Sequence, residues 1–302
     1  MAMRVATFAQ SNTMIADALR IQSVMANEQI QESSGVTSTD FGGYGSTAQH
    51  VVNLQVSVTR AQSHIDAATL ADSRVQVMYS AVGSVTDIVT QLRAQLTAAS
   101  TGSSTETSSV ISTAQQLLEQ MGSLLNTQYD GQYVFAGGKT ETAPVDLTSF
   151  ASGTGSTTTA DTSYYSGDSE IASVRVSADQ TVSYGVTADN SAFEEVMRVL
   201  KFVANSTSLS SSDITAALDL AGTALDDTAA VQARLSSAAS QIETATARQS
   251  DYKGFAETLS SDLTSVDVAA ITAQLSTYQS QLTASYSALG KILSMNLASY
   301  LK

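Results

Sequence analysis

The sequence predicts a mainly α protein: a long antiparallel, coiled-coil helical bundle formed by the N- and C-terminal segments, with a small central β-containing insert. Three observations predict it. Proline occurs once, at Pro144, and a chain rich in Ala, Leu, Gln and Val with no other proline can run through helices unbroken. Apolar residues recur at alternating spacings of three and four along several long stretches. Only the middle of the chain carries turn signals flanked by aromatic and β-branched residues.

The first element is the N-terminal helix. Val5, Phe8, Ile15 and Leu19 form one stripe, and Met14, Ala18, Ile21 and Met25 form the adjoining one. Together they make an apolar face too broad for one partner helix to satisfy. Between Gln31 and Ser46 the pattern breaks, and Gly35, Gly42, Gly43 and Gly45 mark a loop or spoke. Positions 51, 54, 58, 61, 65, 68, 72, 75, 79, 82, 86, 89, 93 and 96 then resume the alternation, with Asp72, Thr86 and Arg93 as the exceptions. This predicts a helix of about 45 residues. A polar turn follows over 100–109, and a second helix runs through Val110, Ala114, Leu117, Met121 and Leu124. The short connection predicts antiparallel packing of the two.

The middle changes character. Residues 129–138 read YDGQYVFAGG, a turn signal followed by aromatic and β-branched residues, which predicts a hairpin. A Ser/Thr/Gly-rich linker spans Leu147 to Ser166, followed by strand-like runs at Ile171–Val176 and Thr181–Val186. Asn190 and Ser191 supply a capping signal for a helix through Phe193, Val196, Leu200 and Val203. A last internal helix uses Ile214, Leu218, Ala221, Leu225, Leu235 and Ile242.

The C-terminal helix carries a heptad seam of Val268, Ile271, Leu275, Tyr278, Leu282, Leu289 and Ile292, interrupted at Ser285 and continuing toward Leu297 and Leu301. Two apolar terminal helices of similar length most simply pair with each other. The resulting plan is nested: 1–45 with 255–302 as a terminal coiled-coil polymerisation domain, 46–128 with 190–254 as a helical bundle, and 129–189 as a hairpin and small β-rich distal insert.

Composition excludes several functions. The net charge is −14 and the 14 basic residues are scattered, whereas neutralising phosphates or a membrane surface needs clustered Lys and Arg, so neither nucleic acid nor a membrane-surface helix is expected; no segment reads as a transmembrane helix, so membrane insertion is not expected either. There is no cysteine, hence no disulfide framework, thiolate metal site or Cys nucleophile. The N-terminus has no apolar run of a secretory signal, so an exterior location implies another export route. His50 and His64 lie about four turns apart on one helix, too far to share a metal, and read as surface or spoke residues. Glu194–Glu195 and Asp226–Asp227 are adjacent pairs that diverge around a helix and read as solvated faces rather than a catalytic dyad. Asp161 and Asp168 lack the spacing of a calcium loop. Gly137 to Thr140 echoes the end of a phosphate-binding loop, but Gln132 stands where that motif needs its first glycine. No cofactor or metal site and no enzyme activity is expected.

The nested order resembles the flagellin and hook-associated superfamily, and local motifs agree. Residues 30–35, IQESSG, resemble the "(I/L)SSG" turn that ends the first terminal helix there. Residues 126–140, NTQYDGQYVFAGGKT, resemble the hairpin of the junction-forming branch; Tyr165 to Asp168 and Phe193 with the short helix after it resemble that branch's insert, and LTASY at 282–286 with ILSMNLASYL at 292–301 resembles its ending. The "D-P" or "D-D-A" stretch usual after the Ser-Ser-Gly turn is replaced by Thr39-Asp40-Phe41-Gly42.

The resemblance implies a structural component of the bacterial flagellum at the hook–filament junction. It implies a homo-oligomeric ring with a hook-associated protein on the hook side and flagellin on the filament side. It also implies passage through the flagellar type III export apparatus with an export chaperone. Subunit packing would then fall to Val5, Phe8, Ile15, Leu19, Ile21, Met25, Val268, Ile271, Leu275, Tyr278, Leu282, Leu289, Ile292, Leu297 and Leu301. A flagellin-type filament subunit is the alternative of the same class. A flagellin-like cell-surface glycan-binding protein is the alternative of another class, with Tyr164, Tyr165 and Tyr184 as stacking candidates that more often serve packing.

Overall fold

A computed structural model describes residues 2–100, 104–150 and 155–298, with backbone alone at 2–8, 104–106, 149 and 293–298. Helices dominate. In chain order they are α1 (Ala2–Ser34), α2 (Ala48–Ser100), α3 (Ser104–Leu125), the single-turn α4 (Leu147–Phe150), α5 (Ser191–Ala204), α6 (Ser211–Thr264) and α7 (Val268–Ala298). Four short strands lie among them: β1 (Gln128–Tyr129), β2 (Gln132–Tyr133), β3 (Ser173–Arg175) and β4 (Thr181–Ser183). The chain folds as two compact units, Met1–Thr59 with Lys253–Lys302, and Arg60–Tyr252.

In the Arg60–Tyr252 unit the seam of α2 runs through Ala68, Ala71, Val75, Met78, Val82, Val85, Val89, Leu92, Leu96 and Ala99, all buried. The expected series is right at positions 68, 75, 82, 89 and 96. It is one residue late at 72, 79, 86 and 93, where Tyr79 and Arg93 are exposed. Three of those four positions hold Asp72, Thr86 and Arg93, the residues that broke the pattern in the sequence. α6 answers with a seam of small residues, Ala217, Ala221, Ala224, Thr228, Val231, Leu235, Ala238, Ile242 and Ala245. The Thr228 hydroxyl donates to Ala224 O at 2.5 Å, which lets a polar residue occupy the core.

The remaining elements complete that core. α3 packs on α5. It begins at Ser104, so the expected polar turn over 100–109 is shorter than its serines suggested. Asn190 caps α5 as expected, its side chain accepting from Ala192 N. β1 and β2 form the expected hairpin around Asp130 (φ 51°) and Gly131 (φ 73°), the left-handed pair that a two-residue turn requires. β3 and β4 pair antiparallel with Val174 opposite Val182 and are shorter than the runs that predicted them. Within the Ser/Thr-rich linker, α4 and a bridge between Val145 and Tyr165 give order. Asn126 holds that bridge from both sides, donating to Val145 O at 2.9 Å and accepting from Val145 N at 3.0 Å. Phe135 meets Phe193 edge to face at 5.6 Å, and Phe150 meets Tyr164 at 5.1 Å.

In the terminal unit α1 and α7 pack together. Gln22 Nε2 donates to Tyr286 Oη at 2.6 Å and Thr272 Oγ1 donates to Glu32 Oε1 at 2.7 Å, so the two run antiparallel. α1 ends at Ser34 because Gly35 turns left-handed (φ 71°), a conformation without penalty only for glycine. Thr37 N then bonds Thr264 O at 2.7 Å and Val266 N bonds Gly35 O at 3.1 Å, tying the exit of α1 to the entry of α7. The glycine-rich stretch expected as an open spoke is instead a 3-10 helix, Phe41–Thr47, broken at Gly45 (φ 55°, ψ −123°). α6 extends to Thr264, beyond the last apolar residue that predicted it, Ile242, because no proline or turn signal stops it.

Candidate functional site

The terminal pair is the candidate site, and the two helices share their burden unequally. α7 buries Ile271, Leu275, Leu282 and Leu289, with Tyr278 and Ile292 half-buried. α1 buries only Ala18 among its described side chains, with Ile21 and Met25 half-buried. Leu19 stays 60% exposed and Ile15 45%, and Val268 at the start of α7 is exposed as well. Val5 and Phe8 in α1 and Leu297 in α7 have side chains outside the described residues, and Leu301 lies outside them altogether. Ile30 and Tyr286 are exposed large residues that the packing set drawn from the sequence did not include.

The pairing therefore leaves an apolar flank open. One antiparallel contact between two helices covers a stripe, not a broad face. The same unit carries a further open surface. A groove of about 400 Å³ is lined by Phe41, Tyr44, Val51, Val58, Glu257 and Thr264, among others, while Val56, Phe255 and Leu259 are exposed. Exposed apolar residues at this density are characteristic of surfaces that meet other protein.

The Arg60–Tyr252 unit has a second notable cluster, this one closed. Glu194 and Lys201 are buried on α5, which corrects the reading of Glu194–Glu195 as a solvated face. Lys201 Nζ sits 2.7 Å from Asp161 Oδ2 and 4.2 Å above the Phe150 ring. Glu194 Oε1 accepts from Asp161 N at 2.8 Å and lies 3.1 Å from Arg198 Nε, an ion pair not aligned as a hydrogen bond. Arg198 Nη1 donates to Thr157 O at 3.0 Å. Burial pushes the Asp161 carboxyl up, but the bonds from Lys201 and Ser163 outweigh it and hold its pKa at about 2. Glu195 is moved the other way, first by burial and then by the charge of Asp227. The cluster pins the 157–163 segment to α5; each charge has a partner from the fold, and it offers neither a free nucleophile nor a cavity.

The other residues singled out in the sequence fall in structural positions. His50 is exposed, whereas His64 is half-buried with Nδ1 3.2 Å from Arg175 O, so it ties α2 to β3 rather than lying free. Tyr164 is buried with its hydroxyl donating to Ala188 O at 2.9 Å, and Tyr184 is buried too, so neither offers a ring face to a sugar. Asp168 Oδ1 accepts from Gly138 N at 2.7 Å, which sets a carboxylate where a phosphate loop would need open amides. Among the described residues no group of three or more His, Asp or Glu is placed to hold a metal, and no helix is long and apolar enough to cross a membrane.

Residues 5–140 match the bacterial flagellin N-terminal helical region, and residues 218–301 match the bacterial flagellin C-terminal helical region. Among solved structures, a flagellar hook-associated protein from Vibrio parahaemolyticus aligns over 72% of this chain and 97% of its own, at 15% identity and a TM-score of 0.60, and shares the fold. FlgL of Bacillus cereus aligns over 70% and 98%, at 15% identity and 0.49. Flagellar hook associated protein-3 of Legionella pneumophila aligns over 71% and 97%, at 15% identity and 0.46. No curated protein matches the sequence.

Proposed function

Because the chain belongs to the bacterial flagellin family, we propose that it is a structural subunit of the flagellum at the hook–filament junction, assembled through its terminal helices. The observation that carries this reading is the open apolar flank left when α1 pairs with α7. Leu19 and Ile15 on one helix and Val268 and Tyr286 on the other remain exposed, and burying each such side chain is worth about 1.5–3 kcal/mol. Identical neighbours around the pair supply that burial, and a ring of copies is the arrangement in which every subunit gains it. On this reading the polymerisation domain is 1–45 with 255–302, and the packing set is the one drawn from the sequence together with Ile30 and Tyr286.

The junction role is favoured over that of a filament subunit by the Asp130–Gly131 hairpin, by the modest 129–189 insert, and by an ending that resembles the junction branch. The neighbours in this arrangement are a hook-associated protein on one side and flagellin on the other. Delivery is through the flagellar export apparatus with an export chaperone.

Deleting the gene and examining cells by electron microscopy tests the proposal. The expected result is hooks without filaments, with monomeric flagellin in the medium, reversed by the intact chain but not by a chain carrying Leu19→Asp and Leu282→Asp. Loss of filament with no escaped flagellin would assign the chain to the filament itself. Normal filaments in the deletion strain would overturn a flagellar role.

A further inference from the structure

We propose that the pocket between α2 and the two hairpins is a binding site for a zwitterionic α-amino acid with an apolar side chain, its carboxylate held by Arg74 and its ammonium by Asp130. The pocket has a volume of about 330 Å³, at the small end of the range in which ligands are held. Every residue that lines it lies in the Arg60–Tyr252 unit. α2 supplies Leu70 and Arg74, the β1–β2 hairpin supplies Tyr129, Asp130 and Gln132, and β3 supplies Ser173. The site is apart from the terminal helices and does not rest on the flagellar reading above.

The fold leaves the polar groups of this pocket almost unused. Arg74 Nη2 donates to Tyr133 O at 3.3 Å. Among the described residues that is the sole hydrogen bond made by the side chains of Arg74, Asp130, Gln132 and Ser173. Arg74 and Asp130 line the same pocket from two elements, yet neither forms an ion pair with the other or with any other described residue. The next acids along this part of the chain behave differently: Asp146, Asp161 and Asp168 each accept a backbone N–H. Asp130 occupies a left-handed turn position (φ 51°) that asparagine fills as readily, so the turn by itself does not call for its charge.

A half-buried guanidinium with donors to spare answers a carboxylate or a phosphate with two parallel bonds. Asp130 repels a bare anion and attracts a cation, so the complement is a small molecule that carries both signs. A neutral sugar would leave both charges unanswered. Leu70 is 58% exposed and lines the pocket with Tyr129, which gives a hydrocarbon side chain a place to shed water. An α-amino acid sets carboxylate, ammonium and side chain on one carbon and so meets all three demands. Gln132 and Ser173 add neutral donors and acceptors around it.

Isothermal titration of the purified full chain with L-leucine, leucinamide and N-acetyl-leucine tests the site. L-leucine should bind saturably, and each analogue, lacking one of the two charges, at least about tenfold more weakly. Arg74→Gln should lower L-leucine to the level of leucinamide and leave leucinamide itself unchanged. Asp130→Asn should lower L-leucine to the level of N-acetyl-leucine and leave that analogue unchanged. Circular dichroism on each variant guards against loss of folding. No saturable heat with L-leucine, equal affinity for all three compounds, or variants that weaken all three alike would overturn the site. The gene deletion described above tests the flagellar role separately, so either conclusion can fail without the other.

Discussion

Asp161 and Glu195 belong to the same cluster and respond to pH in opposite senses. Asp161 has its pKa depressed to about 2 by Lys201 and Ser163 against the effect of burial. Its contribution is therefore complete above the unfolded carboxyl value near 4 and is lost as pH falls through 2. Lys201→Met keeps the stem over Phe150 and removes the charge. We expect it to cost about 1–2 kcal/mol in urea unfolding at pH 7, with the gap from the natural chain closing between pH 4 and pH 2. Glu195 has its pKa raised, by burial first and then by Asp227. Its stabilising effect is complete below the unfolded value and is lost as pH climbs through the folded one. Glu195→Gln cannot ionise, so at pH 7 it should match or exceed the natural chain by up to about 1 kcal/mol, and the advantage should vanish near pH 4. None of this was legible in the sequence: Glu194, Glu195, Arg198 and Lys201 look like any charged helix face. What buries them is the 157–163 segment, a Ser/Thr/Gly stretch with no pattern that announces where it packs.

The long helix α2 shows how far periodicity reads and where it slips. Its presence, and the positions Ala68, Val75, Val82, Val89 and Leu96, follow directly from apolar spacing. Every second position of the seam, from 72 to 93, was placed one residue late because Tyr79 is large and aromatic and drew the series toward itself. Met78, Val85 and Leu92 are the buried residues, and the misfits Asp72, Thr86 and Arg93 were the signal that could have found them. The distinction is measurable. Met78→Ala should cost about 2–5 kcal/mol in chemical unfolding, while Tyr79→Ala, at a partly exposed position, should stay within about 1 kcal/mol. Equal losses would mean that the seam is drawn wrongly. The turn of the hairpin and the start of α5 were legible to the residue because Asp130–Gly131 and Asn190 are local devices whose chemistry needs no tertiary partner. The glycine run at 42–45 was not, since glycine permits the 3-10 turn that forms there as readily as an open spoke.

At the scale of the whole molecule, the two units differ in how well each is sheltered by its own residues. The Arg60–Tyr252 unit closes over a continuous core from Ala68 to Ala245, and the buried Glu194 and Lys201 find their partners within the fold. The terminal unit shelters a stripe on α7 with few buried residues elsewhere among those described, and leaves Ile15, Leu19, Ile30, Val268 and Tyr286 in water. The breadth of the N-terminal apolar face was visible in the sequence, and so was the pairing of the ends. Which helix would be covered was not, because α1 and α7 compete for one contact and their spacing alone does not decide the winner. Amide hydrogen exchange, followed by mass spectrometry on the dilute monomer and on purified flagella, measures this difference in shelter most directly. The account predicts that α1 and α7 exchange at least about a hundredfold faster than α2 and α6 between residues 68 and 99 and between 214 and 245 in the monomer, and that flagella erase most of that gap. Terminal helices as protected in the isolated monomer as the core seam, with no further slowing on assembly, would contradict it.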